Sequence, residues 1–306
     1  MGTSRTTTVE VEYMRREVKK RKAMRVLMII LAIILVVAIL IPVYWLILTS
    51  IKTFKDVIAV PPKIFVTYID VDNYIHPLID LGYSKCILNS LIVALGSVAI
   101  NLPLGFLAAY AFSRFKFIGD IHLFFWTLTN RMAPPAVFIV PYYMIYTMLG
   151  LFDTHIGLII VYTVFNLPLT IWLLKGFIDS LPRDLDEAAL LDGHSVWYVV
   201  WKIIFPLCKP GIAATALLIF TFSWNEFLFA MLLTERSVRT VPVAIASTRG
   251  EVGINWGLIA ALETLYVLPA IILIFLLQKY LLRAVSYTHL RAHETSLHLV
   301  CRLLLE

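Results

Sequence analysis

Residues 26–48 read VLMIILAIILVVAILIPVYWLIL, an apolar run interrupted only by Pro42. At about 1.5 Å per helical residue, this run can cross a hydrocarbon core of about 30 Å. A basic cluster, Lys19-Lys20-Arg21-Lys22 with Arg25, stands just before it. A signal peptide has an apolar core of about 7–15 residues and a small-residue cleavage site. This run is longer and has no such site, so it reads as a retained span. Five further apolar stretches follow, at 87–112, 121–149, 156–174, 211–233 and 257–282. Hydrocarbon leaves unpaired backbone groups unsatisfied, so an open sheet cannot take the place of these spans. The expected fold class is an all-α polytopic membrane protein with six transmembrane helices.

The composition agrees. Of 306 residues, 60% are hydrophobic and 15% charged, with a mean hydropathy of +0.86. A soluble domain averages about 45–50% apolar and about 25% charged. An ordinary cytosolic enzyme, a disordered chain and a nucleic-acid-binding domain are excluded, and no nucleic-acid partner is expected. Cys86, Cys208 and Cys301 lie far apart, with neither metal-ligand spacing nor a disulfide framework. The net charge of +6 fits positive cytoplasmic loops. With both termini inside, 18 of the 26 Lys and Arg residues fall in cytoplasmic segments and 7 outside, leaving Arg131 within a span. The expected topology is therefore N-in, C-in.

Three regions follow: a basic cytoplasmic tail (1–25), a transmembrane region (26–283) and a terminal tail (284–306). The basic run sets topology, with contact to anionic membrane lipid as a lesser addition. Residues 49–85 form an outer segment. Residues 175–210 form the longest cytoplasmic connection, and within it residues 180–193 read SLPRDLDEAALLDG. Pro182 suits a helix's first turn. Asp184, Asp186 and Glu187 complement the helix dipole, and Gly193 is a left-handed stop. Ser195 can then cap a second helix, Val196–Phe205, ended by Pro206. Leu185, Ala188 and Ala189 are expected on one side of the first helix, with Trp197, Val200, Trp201 and Ile204 as a stripe on the second. By the residues alone, the pair either packs on its own spans or docks a cytoplasmic partner.

Glu187-Ala188-Ala189, three residues, Gly193, nine residues, then Ile203-Ile204-Phe205-Pro206 resembles the EAA loop of ABC importer permeases, Glu-Ala-Ala-x3-Gly-x9-Ile-x-Leu-Pro. Phe205 stands where Leu is usual. Ser223-Trp224-Asn225-Glu226-Phe227, Val241-Pro242-Val243-Ala244, Asn255-Trp256-Gly257 and Phe152-Asp153-Thr154 resemble the carbohydrate-uptake (maltose-transporter, MalG-like) branch of that family. The resemblance covers about Met28 to Arg283. It implies a coupling helix that fits a groove on an ATPase, with Asp184, Glu187, Ala188, Ala189, Gly193, Ile203 and Pro206 as coupling residues. It also implies four partners: a second homologous permease subunit, two ATPase subunits and an extracytoplasmic solute-binding protein. Sugar would move inward by alternating access across a bacterial or archaeal cytoplasmic membrane. ATP and Mg would sit on the ATPase subunits, with no cofactor, metal or catalytic residue on this chain. The sequence holds no Gly-x4-Gly-Lys-Ser/Thr phosphate loop. His293-Glu294…His298 has one residue too many for a His-Glu-x-x-His zinc helix. The alternatives are a permease for a non-sugar solute and an ATP-independent secondary transporter.

Arg131, Glu226 and Glu263 fall inside spans, where a charge costs about 2.5–3.5 kcal/mol on insertion scales. Trp224, Asn225 and Glu226 are the expected lining of a sugar pathway, with Asn166 and Asn101 as weaker candidates. The competing expectation is that Glu226 pairs with Arg131 or a partner subunit and only holds helices together. Pro134-Pro135, Pro141 and Pro168 can bend their helices as hinges or as packing curvature. The tail after Arg283 contains His289, His293 and His298 and resembles translated adapter or read-through DNA; residues 284–306 are expected to be non-native.

Overall fold

The computed structural model describes the backbone of residues 3–66, 68–248 and 255–303, and the side chains of 19–66, 68–129, 131–248 and 255–280. The terminal tail at 284–306 lies outside the described side chains, as does Arg249. Among the described residues there is no strand. The helices, in chain order, begin with α1 (Thr3–Ser50), α2 (Phe54–Val57), α3 (Asp72–Ile79), α4 (Tyr83–Arg114) and α5 (Asp120–Met132). They continue with α6 (Ile139–Met148), α7 (His155–Asp179), α8 (Asp184–Leu191), α9 (Val196–Tyr198) and α10 (Phe205–Leu207). The last four are α11 (Lys209–Trp224), α12 (Leu228–Leu233), α13 (Val241–Ala246) and α14 (Trp256–Leu303). A 3-10 turn, Pro135–Phe138, precedes α6, and a π-helical segment, Val199–Ile204, joins α9 to α10.

Four described helices are long and apolar enough to cross a bilayer: Lys19–Ser50, Tyr83–Arg114, His155–Asp179 and Trp256–Tyr280. The pair Val196–Leu207 and Lys209–Trp224, bent by 78°, gives up to five. The other two expected spans are broken. The stretch 121–149 divides at Ala133-Pro134, because Pro134 and Pro135 supply no amide to continue α5. The stretch 211–233 divides between Trp224 and Leu228, where the Glu226 carboxylate turns back to cap α12.

Two units can be distinguished. The first comprises Met1–Tyr74 and Trp256–Thr264. Here Asn73 Nδ2 donates to the carbonyls of Ser50 (3.1 Å) and Lys52 (2.8 Å), and the hydroxyls of Ser50 and Tyr74 meet at 2.6 Å. The two Asn73 bonds occupy carbonyls left open where α1 ends.

The second comprises Ile75–Asn255 and Leu265–Glu306, and is built on α4, α7 and α11. Small residues let these helices approach closely. A Cβ at Gly105 would lie 2.3 Å from Thr170 Cγ2, and one at Gly211 2.3 Å from the Phe177 ring. Polar side chains bridge the same seam. Asn166 Nδ2 donates to Ser223 Oγ (3.1 Å), Ser223 Oγ to Ser97 Oγ (3.2 Å), and Asn101 Nδ2 to the Ser97 carbonyl (3.0 Å). Ser97, Asn101 and Gly105 recur every four residues and so share one stripe of α4.

At the other end of this unit, Asp153 has a left-handed backbone (φ 53°). Its carboxylate accepts the backbone N–H groups of Glu235, Arg236, Ser237 and Val238 at 2.9–3.3 Å. Burial alone would raise its pKa, but these four amides outweigh it and hold the group at about 2. Asn89 Nδ2 reaches the carbonyls of Ser237 and Arg239, and Ser90 Oγ accepts the Val241 amide, so the loop before α13 is tied from two sides.

Two expectations follow. Gly105→Ala destabilises the chain by about 1–3 kcal/mol through overpacking, and adding Thr170→Ser, which removes the crowding Cγ2 but keeps the Cβ 2.9 Å away, recovers only part of the loss; unfolding midpoints of the purified single and double variants check this. Asp153 has a native pKa below the usual 3.8. Its stabilisation is therefore complete above about pH 4 and fades as the pH falls through about 2. Asp153→Asn lowers the neutral-pH melting temperature and flattens the acid limb of the melting profile; an unchanged acid limb would contradict the assignment.

Candidate functional site

The segment 180–210 builds the first site. Helix α8 carries three acids in its first turn and ends in a Schellman turn. The His194 amide donates to the Ala189 carbonyl and the Gly193 amide to the Leu190 carbonyl, both at 3.1 Å. Gly193 has φ +85°, with open space where a Cβ would stand. Its requirement is conformational, not steric. Ser195 Oγ accepts the Tyr198 amide at 3.3 Å and so caps α9 as expected.

The second helix differs from the expected Val196–Phe205. Its middle is π-helical, and it continues to Leu207. Pro206 does not end it, because it occupies the first turn of α10, where no amide donor is needed. The wider turn brings Val199 and Ile204, five apart, to the same buried core with Val200. Trp197 and Trp201 are exposed instead; Trp201 lies beside Phe205, ring centres 5.3 Å apart. Ile203 packs partly against the core and Pro206 is exposed.

Helix α8 is divided by face. Asp184, Leu185, Glu187, Ala188 and Leu191 are exposed, whereas Asp186 and Ala189 are buried. The two alanines thus separate: Ala189 enters the core and Ala188 faces out. Sequence reasoning gave Asp186 only a dipole role, but it is the anchor. Tyr110 OH donates to its Oδ1 at 2.8 Å, and Arg114 Nε lies 3.1 Å from its Oδ2 as an ion pair. Arg114 also donates to the Leu181 carbonyl, Arg183 to the Ser113 carbonyl, and Ser113 Oγ to Asp179. The signal in the sequence was Arg114 itself, a cation at the end of an apolar span. No hydrogen bond or ion pair engages the Glu187 side chain among the described residues.

The second site is the intramembrane set. Trp224 is 2% exposed, and its ring stacks with those of Tyr266 (5.0 Å, 12°) and Phe220 (5.4 Å, 15°). Its Nε1 donates to the Tyr266 carbonyl at 3.2 Å. Its ring is therefore not an open platform, because stacking has used it. Asn225 is exposed; its Oδ1 accepts from Tyr266 OH at 3.2 Å and its Nδ2 donates to the Thr221 carbonyl. Glu226 accepts the Phe229 and Ala230 amides at 3.0 and 3.1 Å. It does not pair with Arg131. A carboxylate at the start of a helix gains from unpaired amides and the dipole together, so α12 meets the need expected of a cation. Arg131 NH1 instead donates to the Phe165 carbonyl (2.7 Å) and Asn166 Oδ1 (3.3 Å), beside Pro168, and its guanidinium lies 4.9 Å from the Phe222 ring centre. Asn166 and Asn101 are buried within the seam network. The structure joins Arg131, Asn166 and Ser223 in one chain of bonds, and Trp224, Asn225 and Tyr266 in another.

Comparison with known proteins places this geometry. The trehalose/maltose transport system permease protein MalG of Thermococcus litoralis is 35% identical over 89% of this chain and 98% of its own length. The trehalose transport system permease protein SugB of Mycobacterium tuberculosis is 35% identical over 78% of this chain and 88% of its own. The fold is similar to a chain in the crystal structure of a bacterial ABC transporter involved in the import of the acidic polysaccharide alginate, with a TM-score of 0.71, 22% identity, and coverage of 85% of this chain and 97% of that one. Residues 101–287, the greater part of the chain, match the binding-protein-dependent transport system inner membrane component family. This multi-pass membrane protein therefore belongs to the family of binding-protein-dependent transport system inner membrane components.

Proposed function

We propose that the chain is the permease subunit of an ATP-driven importer that carries a sugar or related polyol inward by alternating access. The named relatives with trehalose and maltose as substrates support the substrate class. The observation that carries the mechanism is the division of α8. Asp186 and Ala189 fasten it to α4 and the core, while Glu187, Ala188 and Leu191 stand free. A short helix held by a buried ion pair passes rigid-body motion on, whereas a loose loop would absorb it.

In this reading, α8 and the basic tail lie on the cytoplasmic side, N-in and C-in, and the two broken stretches count as spans, giving six. Two ATPase subunits, holding ATP and Mg, grip the exposed face of α8 on this chain and on a second homologous permease subunit. Asp184, Glu187, Ala188 and Gly193 meet the ATPase or shape the contact, while Ala189, Ile203 and Pro206 set the core and the turn behind it. An extracytoplasmic solute-binding protein delivers the sugar to the opposite face, across a bacterial or archaeal cytoplasmic membrane. Asn225, exposed where α11 breaks from α12, meets the solute. Trp224, Glu226 and Asn166 hold that break in place. This chain does no catalysis of its own.

Uptake into proteoliposomes holding the assembled complex and its binding protein tests the reading: accumulation of a trehalose- or maltose-type sugar should require ATP, and uptake without ATP would refute it. The two faces of α8 predict different failures. Glu187→Lys leaves the melting temperature unchanged and lowers ATPase co-purification by about tenfold, equivalent to one lost contact of about 1.4 kcal/mol. Asp186→Ala leaves Arg114 buried without its partner and costs about 3–5 kcal/mol of stability, which a melting curve reads before any assembly assay.

A further inference from the structure

Within the second unit, a half-open cavity of about 280 Å³ lies where the stretch 121–149 breaks. Its walls include Thr127 and Arg131 of α5, Phe138 of the 3-10 turn, Tyr142 of α6, and Phe165 and Pro168 of α7. No Asp or Glu lines it. Phe138, Tyr142 and Phe165 form a cluster of rings with centres 5.8–6.3 Å apart. The Tyr142 hydroxyl has no hydrogen-bond partner among the described residues.

Arg131 is half spent. Its Nη1 donates to the Phe165 carbonyl and to Asn166 Oδ1. Its Nε and Nη2 have no hydrogen-bond or ion-pair partner among the described residues. One N–H from each runs parallel along a single edge of the guanidinium, the fork that grips a carboxylate with two bonds. Its neighbours are a carbonyl, an amide and the Phe222 ring, and none of them carries a full negative charge. Depth narrows the choice of anion. Phe165 lies about 15 Å along α7 from His155 and about 21 Å from Asp179, at about 1.5 Å per residue. A hydrocarbon core is about 30 Å thick, so the guanidinium stands near its middle, far from either layer of lipid phosphates. An intramembrane charge at this depth marks a solute path more often than a structural contact.

We propose that this cavity takes one sugar unit bearing a carboxylate. The carboxylate meets the Nε–Nη2 edge of Arg131, a ring hydroxyl meets Tyr142 OH, and the C–H face of the sugar lies on the Phe138 and Phe165 rings. The volume suits a single sugar unit, since drug-sized ligands fill about 300–1,000 Å³. The assignment deepens the importer reading and rests on it for the solute's being cargo.

The test uses the full chain with its co-purifying subunits in nanodiscs and measures binding by saturation-transfer NMR. The ligands are methyl glucuronide and methyl glucoside, which share a ring and differ only in a carboxylate against a hydroxymethyl group. The glucuronide should bind about tenfold more tightly, as a charge-assisted pair provides. Arg131→Gln should bring the two within about twofold. Tyr142→Phe should weaken both and keep their ratio. Arg131 also braces the Phe165 carbonyl, so a second measurement uses the unaltered chain: the methyl ester of the glucuronide, which keeps the ring and loses the charge, should bind no better than the glucoside. Equal binding of glucuronide and glucoside, a glucuronide preference that survives Arg131→Gln, or no binding of the glucuronide, as when an acidic side chain of the partner permease fills the site, would each overturn the proposal. Neither ATP nor the binding protein enters this measurement. Its failure alongside ATP-driven sugar uptake removes the acidic site and leaves the importer, whereas uptake without ATP removes the importer and leaves the glucuronide preference as evidence for the site.

Discussion

The Asp186 carboxylate, buried against Arg114 and Tyr110, is the contact on which the rest depends. Burying an ion pair costs desolvation on both sides, and it persists only where further bonds satisfy the charged groups. Here those bonds run to the backbone of two segments. Arg114 takes the Leu181 carbonyl as well as Asp186, and Arg183 returns to the Ser113 carbonyl. The end of α4 and the start of α8 therefore form one cross-braced piece. The apolar part of the same core, from Phe106 through Leu174 to Val199 and Ile204, lies directly behind it.

The same economy governs the spans. Where a helix breaks, the freed backbone groups are met by a side chain from nearby in the sequence or across the seam. Glu226 meets the amides of α12, and Arg131 meets a carbonyl of α7 near Pro168. Asn166, Ser223 and Ser97 then carry polar contact across α7, α11 and α4. Groups that look like binding chemistry in a linear reading are thus largely spent on holding broken helices together. Asn225 is the member left facing outward.

Much of this was legible in the sequence. Apolar runs located α1, α4, α7 and α14, because unbroken hydrophobicity over that length has one reading in a bilayer. Gly193 and Ser195 were legible because caps depend on local geometry alone. The breaks within 121–149 and 211–233 were visible only in part: Pro134-Pro135 marked the first, but nothing local marks Glu226 as a cap instead of an ion-pair partner. The π-helical segment was not legible, since its register is chosen by the distant core that Val199 and Ile204 fill. The role of Asp186 depends on Arg114, remote in sequence and adjacent only after folding. The exposure of Ala188 and burial of Ala189 likewise follow from where α4 lies.

The wide turn at Val199–Ile204 has a geometric effect. Each α-helical residue advances the chain's azimuth by about 100°, so the extra residue taken up in that turn is what lets Val199 and Ile204 point the same way into the core. The chain then bends by 78° between Leu207 and Lys209, and α11 takes its own bearing from α4 and α7. The winding upstream thus decides which side chains back the cytoplasmic helix, while Ser223 is aimed by the seam it belongs to.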